Sequence, residues 1–282
     1  MIALLLACHH NAYELVLEKD VSAIRINGSE TSGFGTSVAA DVQGVLASAP
    51  AEGKVYLYDW AGERQLEWFV NLSPDSRLFW VESEAFVWTS NHLVHLFVNG
   101  ETNVVFENLS SINHCNGDWI WSTDDSVKSI RCGPEGPVES KCDLSGCTAD
   151  LFGQVVNLGL DGNFYHTSNG WCWSQVDWDD ENDGGLVQCE HTTKIEGSGG
   201  ERLGIQLSEH WVSGTVGRQL RPPRGRVKSL DTPLSLVIEG ASDALPFSIS
   251  EIEDWLVIGV PTAQQNEILG AIWLVPLSSI SY

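Results

Sequence analysis

The chain has 282 residues, 43% of them hydrophobic, enough for one large all-β domain or two small ones and too apolar for wholesale disorder. With 15 Lys and Arg against 38 Asp and Glu, its net charge is −23. That field repels nucleic acid and anionic lipid headgroups and favours cations and basic partners. No apolar run reaches the length of a transmembrane helix.

The chain opens on Met1-Ile2-Ala3-Leu4-Leu5-Leu6-Ala7-Cys8. Leu5-Leu6-Ala7-Cys8 resembles the lipobox of bacterial lipoproteins. The resemblance implies cleavage before Cys8 and a lipid anchor on it, with the protein in the cell envelope, at the outer membrane or cell surface. Residues 1–8 are then a signal-like segment and 9–282 a single domain, and the membrane is touched only through the anchor. The segment departs from the pattern in its short apolar stretch and in having no Lys or Arg before it. A start codon assigned too far downstream accounts for both. The alternative is a buried N-terminal strand with a structural cysteine.

Of seven cysteines, setting Cys8 aside leaves Cys115, Cys132, Cys142, Cys147, Cys172 and Cys189. An even remainder suits three disulfides in an oxidising compartment. Cys115 to Cys132 and Cys172 to Cys189 have equal spacing, and Cys142 and Cys147 are close enough to close a small loop. Six cysteines allow about 15 connectivities, so this pairing is one proposal among them. Zinc is the rival use, but the chain has no C-x-x-C pair.

Short runs rich in Val, Ile, Trp and Thr, separated by Gly, Asn, Asp and Ser clusters, predict strands throughout. One strand type recurs: Gly44-Val45-Leu46-Ala47-Ser48, Ala85-Phe86-Val87-Trp88-Thr89, Asp118-Trp119-Ile120-Trp121-Ser122, Gly170-Trp171-Cys172-Trp173-Ser174, His210-Trp211-Val212-Ser213 and Asp254-Trp255-Leu256-Val257-Ile258. Their centres, 46, 87, 120, 172, 212 and 256, are spaced like four-stranded propeller blades, with one long step of 52. A second element is Ile-x-Gly followed by an apolar and a small residue: Ile26-Asn27-Gly28 before Phe34-Gly35, Ile195-Glu196-Gly197 before Leu203-Gly204, and Ile238-Glu239-Gly240 before Phe247-Ser248. It reads as the outer strand of one blade linked to the inner strand of the next. Residues near Tyr13 to Gly28 precede any complete blade and would supply the outer strand of the last one. Such closure removes open radial edges.

Phe34-Gly35-Thr36-Ser37-Val38-Ala39-Ala40-Asp41, Ala47-Ser48-Ala49-Pro50 and Gly53-Lys54-Val55-Tyr56-Leu57-Tyr58 resemble one whole FG-GAP repeat of integrin α-chains. Phe247, Ile258-Gly259-Val260-Pro261 and Gly270-Ala271-Ile272-Trp273-Leu274 resemble another. The resemblance implies an all-β propeller. Six blades are counted; the seven usual in that family are reached if Phe152-Gly153-Gln154-Val155-Val156 belongs to a degraded copy. The family's calcium loop would fall at Asp41-Val42-Gln43-Gly44, which has too few oxygen ligands for it.

Candidate chemistry is sparse. Asp177, Asp179, Glu181 and Asp183, followed by Gly184, offer alternating carboxylates on a tight turn; Ca2+ is one reading and a solvated hairpin tip the other. Arg218, Arg221, Arg224 and Arg226 crowd a segment with Pro222-Pro223 and suit a carboxylate or phosphate, or serve only to offset neighbouring acids. Twelve Trp invite sugar stacking, but most sit in the recurring strand, where packing between blades is the simpler role. No G-x-S-x-G, H-E-x-x-H or P-loop motif occurs. The function expected from this reading is a non-enzymatic envelope propeller that binds or scaffolds a protein or glycan partner, without nucleic acid. The alternatives are a lectin-like module and a hydrolase with a carboxylate pair in the central channel.

Overall fold

A computed structural model describes residues 13–29, 32–89, 92–107, 111–115, 118–123, 126–129, 140–143, 146–151, 154–157, 162–167, 170–175, 186–189, 195–196, 203–204, 206–208, 210–216, 224–238, 248–265 and 268–280. Apart from two single-turn 3-10 helices, Pro50–Glu52 and Leu277–Ser279, the regular elements among them are strands.

Strands β1 (Tyr13–Val16) and β2 (Ile24–Asn27) come first. The first complete sheet is the meander β3 (Val38–Asp41), β4 (Gly44–Ala49), β5 (Lys54–Tyr58) and β6 (Arg64–Phe69). The second is β7 (Arg77–Val81), β8 (Glu84–Thr89), β9 (His92–Leu96) and β10 (Thr102–Phe106). Two three-stranded sheets follow: β11 (Ser111–Cys115), β12 (Asp118–Thr123) and β13 (Ser126–Ser129), then β14 (Ser140–Asp143), β15 (Gly146–Leu151) and β16 (Gln154–Asn157). The fifth sheet is β17 (Gly162–Thr167), β18 (Gly170–Gln175), β19 (Leu186–Cys189) and β20 (Ile195–Glu196). The sixth is β21 (Gln206–Leu207), β22 (Trp211–Val216), β23 (Arg224–Ser229) and β24 (Leu234–Ile238), and the last is β25 (Ser248–Ile252), β26 (Trp255–Gln265) and β27 (Ile268–Pro276).

The recurring motif is the second strand of its sheet in all six copies, β4, β8, β12, β18, β22 and β26. The reason is burial. Every residue of β4 is buried, and Leu256 to Val260 in β26 are buried without a break. A strand covered on both faces needs a continuous apolar run rather than alternation. The isoleucines of the Ile-x-Gly elements lie in the fourth strands of their sheets, β2, β20 and β24. The 52-residue step holds the whole fourth sheet, so the described residues form seven sheets.

The N-terminal segment does two things. β2 pairs antiparallel with β27, Ile24 opposite Leu274 through Asn27 opposite Ala271, as the fourth and outer strand of the last sheet. β1 instead pairs parallel with β24 and adds a fifth strand to the sixth sheet, which the repeat did not foretell. Trp273 fastens the segment. Its Nε1–H donates to Glu18 Oε1 at 3.0 Å, and the Arg25 guanidinium lies 5.0 Å from its ring centre.

The apolar cores lie between successive sheets. Leu46, Val55, Trp68, Leu78 and Val87 join the first and second; Trp211, Leu236, Ile249, Leu256 and Ile258 join the sixth and last. Phe34, Val45, Tyr56, Tyr58, Val257 and Ile272 join the first and last. Phe34 is 1% exposed and meets Tyr56 and Tyr58 edge-on. Beside it, Gly35 N–H donates to Ser48 O at 2.9 Å while Gly35 O accepts from Ser248 Oγ at 3.2 Å. Gly204 repeats the arrangement, donating to Ser213 O at 3.0 Å and accepting from Ser174 Oγ at 2.9 Å. The pair of a large apolar residue, Phe34 or Leu203, and the glycine after it is thus a joint between sheets. The apolar side chain fills the core, and the glycine lets neighbouring backbone and a buried serine approach. Tryptophans do related work: Trp68 Nε1–H reaches Phe97 O at 2.7 Å and Trp80 Nε1–H reaches Ala39 O at 3.3 Å, each across a sheet boundary.

Candidate functional site

In a meander, the turn between strands one and two lies at the same end of the sheet as the turn between strands three and four. Hydrogen bonds between sheets bring the first-to-second turns together. Ser83 in the β7–β8 turn accepts from Gln43 Nε2 at 3.1 Å and donates through Oγ to Asp41 at 3.4 Å, linking it to the β3–β4 turn. The sixth and last sheets meet in the same way, with different residues. Glu251 of β25 accepts Ser208 Oγ–H at 3.2 Å and His210 N–H at 2.9 Å on Oε2, and the His210 ring Nδ1 at 2.8 Å on Oε1.

This pair joins a nearly buried carboxylate to a half-exposed imidazole. The Glu251 side chain is 5% exposed and that of His210 is 45% exposed. The carboxylate is held by three donors, and the imidazole it orients is half-exposed. The backbone of His210 is pinned on both sides, since its carbonyl accepts Leu230 N–H at 2.8 Å. A carboxylate partner at Nδ1 calls for the proton on that nitrogen, so the neutral ring carries its lone pair on Nε2. A fixed imidazole with a basic Nε2 can take up and return a proton.

A second polar cluster has a different character. Glu52, on the turn after β4, accepts the hydroxyls of Ser29 and Tyr56. Burial first, then the Glu52 hydrogen bond, pushes the Tyr56 phenol far above its ordinary value. A phenol held protonated is a poor base near neutral pH. Lys54 and Arg64 lie over the Tyr56 ring and both pair with Glu67. The cluster ties the first sheet to the segment before it.

The sites expected from sequence are placed as follows. Cys8, Cys132, Asp177, Asp179, Glu181, Asp183, Arg218 and Arg221 lie outside the described residues. Arg224 and Arg226 are on β23, so the second half of the basic segment is a strand rather than a loop. Cys115 ends β11, Cys142 and Cys147 are on β14 and β15, and Cys172 and Cys189 are on β18 and β19. Among the described residues no group of three or more His, Cys, Asp or Glu is placed to hold a metal ion. No described helix is long and apolar enough to cross a membrane. Of the tryptophans, Trp68, Trp88, Trp211 and Trp273 are buried, while Trp60 and Trp255 are half-buried and stacked at 5.1 Å. His210 stands in the recurring strand motif, but its partner is a repeat away. The available signal was positional: both flank the first-to-second turn in consecutive repeats.

No family model matches the chain, and no curated protein matches it. Solved structures do. A virginiamycin B lyase from Staphylococcus aureus is similar at 9% identity and TM-score 0.55, over 90% of this chain and 99% of that one. A luciferin-regenerating enzyme is similar at 13% identity and TM-score 0.51, over 90% of this chain and 95% of that one. At such identities the likeness is one of fold. It corrects the functional expectation drawn from the repeats. A non-enzymatic binding or scaffold propeller was inferred from fold resemblance, and both of these similar structures are named as enzymes. What the chain has in common with these structures is a propeller-type fold, which the described residues of this chain build from sheets of three to five strands.

Proposed function

We propose that this protein is a propeller-fold enzyme in which His210, oriented by Glu251, moves a proton to or from a small-molecule substrate. The single observation that carries this reading is a solvent-reachable imidazole whose Nδ1 is 2.8 Å from a nearly buried carboxylate. That is the arrangement of a general base with its positioning group. The enzyme names borne by the similar structures support it at the level of fold. The scaffold is a ring of seven blades closed by β2, a reading supported by the core that joins the first and last sheets. In the same proposal the protein sits outside the cytoplasm, held by lipid on Cys8, with Ca2+ at 177–183 and an anionic partner at the arginine-rich segment as further expectations.

The test uses the full chain with His210→Gln and Glu251→Gln. Diethyl pyrocarbonate is the first probe, because it acylates neutral imidazole without knowledge of the substrate. The wild type is expected to be modified at His210 near neutral pH, with a pH profile that shifts in Glu251→Gln. A panel of lactones, cyclic esters and nitrophenyl esters is the second probe. Turnover of any member is expected to fall about 10²- to 10⁴-fold in His210→Gln. An unreactive His210, or turnover equal in the two proteins, overturns the proposal.

A second reading has its own observation. The corresponding place between the first two sheets holds the Ser83–Asp41 contact, which only bridges sheets. On that reading both variants lose thermal stability and neither changes the diethyl pyrocarbonate profile of the remaining histidines.

A further inference from the structure

We propose that the chain carries two cross-strand disulfides, Cys172–Cys189 and Cys142–Cys147, and that each locks one sheet of the segment from 140 to 196. The inference stands apart from the reading of His210. It rests on strand register. β18 and β19 are antiparallel, and Cys172 is the direct partner of Cys189. β14 and β15 are antiparallel, and Cys142 is the direct partner of Cys147. Directly opposed residues of an antiparallel pair share a face, with Cα atoms about 4.5 to 5.5 Å apart. Both values fall within the roughly 4.4 to 6.8 Å that a disulfide spans. A register slip of one residue in either hairpin would put its two cysteines on opposite faces. Two separate hairpins each place their cysteines in opposition.

The same criterion separates these pairs from the third. Cys115 is opposite Asp118, and Cys132 lies outside the described residues, so nothing in the register joins them. The fourth sheet is also poor in the apolar strand that marks the others. β15 reads Gly-Cys-Thr-Ala-Asp-Leu, without the continuous apolar run of β4. A covalent link across a hairpin replaces burial that such a strand does not supply.

Each link forms by loss of two S–H bonds and gain of one S–S bond. The two electrons and two protons pass to a disulfide oxidant such as glutathione disulfide, which leaves as two thiols. The pairs therefore place the working form of the protein in an oxidising compartment.

The experiment is peptide mapping of the full-length chain, purified from an oxidising compartment, alkylated without reduction and cut with chymotrypsin. Chymotrypsin is suitable because Phe152, Phe164 and Tyr165 lie between the two pairs while no Lys or Arg does. The expected result is a linked species joining the Cys172 and Cys189 peptides, and a Cys142–Cys147 peptide lighter by two hydrogens than its reduced form. Cys189 is expected to become alkylatable in Cys172→Ser, and Cys142 in Cys147→Ser, with the other pair intact in each. Free alkylation of all four cysteines in the wild type, a cross-link between the two pairs, or four thiolates protected only until a zinc chelator is added would each overturn the proposal.

Discussion

Gly35 and Gly100 form a matched pair that tests the joint between sheets. Both have φ of +85°. They differ in what a methyl group would meet. At Gly35 an added Cβ would lie 2.7 Å from Ala271 O, 3.1 Å from Ile272 Cγ2 and 3.2 Å from Val260 N, two of which are backbone atoms of the last sheet. At Gly100 nothing lies within 4 Å. Gly100→Ala therefore measures the backbone cost of a left-handed alanine, about 1–2 kcal/mol. Gly35→Ala adds overpacking against a backbone that cannot rotate away, about 1–3 kcal/mol more. A chain of 282 residues loses roughly 1.7 °C of midpoint per kcal/mol. The expected shifts are about 2–3 °C for Gly100→Ala and about 4–8 °C for Gly35→Ala. Thermal unfolding followed by tryptophan fluorescence and by circular dichroism reads both, with coincidence of the two probes as the check on a single transition. Equal losses in the two variants would mean that the first and last sheets do not meet at Gly35, and would refute the joint.

Two other consequences follow from local geometry. In the two-residue β7–β8 turn, Glu82 and Ser83 have φ of 50° and 63°, a conformation that favours Asn-Gly. Glu82→Asn with Ser83→Gly keeps the carbonyl that Gln43 uses, gives up the long 3.4 Å Ser83 Oγ contact to Asp41, and should still raise stability by about 1 kcal/mol; a lowered urea midpoint would sink the strain argument. Burial first of all, with Glu52 and Glu67 adding and Arg64 opposing, pushes the Tyr58 phenol from 10.0 up to about 12. A raised value means that the folded state keeps a proton the unfolded state releases. The contribution is full below pH 10 and is lost as pH rises from 10 through 12. Urea midpoints over that window should fall less steeply in Tyr58→Phe, and an unchanged slope in that variant would contradict the assignment.

The recurring strand and the Ile-x-Gly element were legible because burial on both faces writes itself locally, as unbroken apolar runs bounded by turns. From them the second and outer strands could be placed, and the N-terminal segment assigned to the last sheet through Ile24, Ile26 and Asn27. The fourth sheet was legible only through Gln154-Val155-Val156 of its third strand, since its second strand, Gly-Cys-Thr-Ala-Asp-Leu, has no such run. Nor was the parallel pairing of Tyr13 to Val16 with Leu234 to Val237, because lateral pairing between distant segments leaves no periodic trace in either. The pair of His210 and Glu251 belongs to the same class. Each residue alone is an ordinary polar group at a turn. Only the stacking of the sixth sheet on the last brings imidazole and carboxylate to hydrogen-bonding distance and leaves one nearly buried and the other half open to solvent. The sequence by itself determined the strand type and its order along the chain, because those depend on contacts within a few residues. The number of sheets and the meeting of side chains at their ends were decided by tertiary structure, because they depend on contacts across whole repeats.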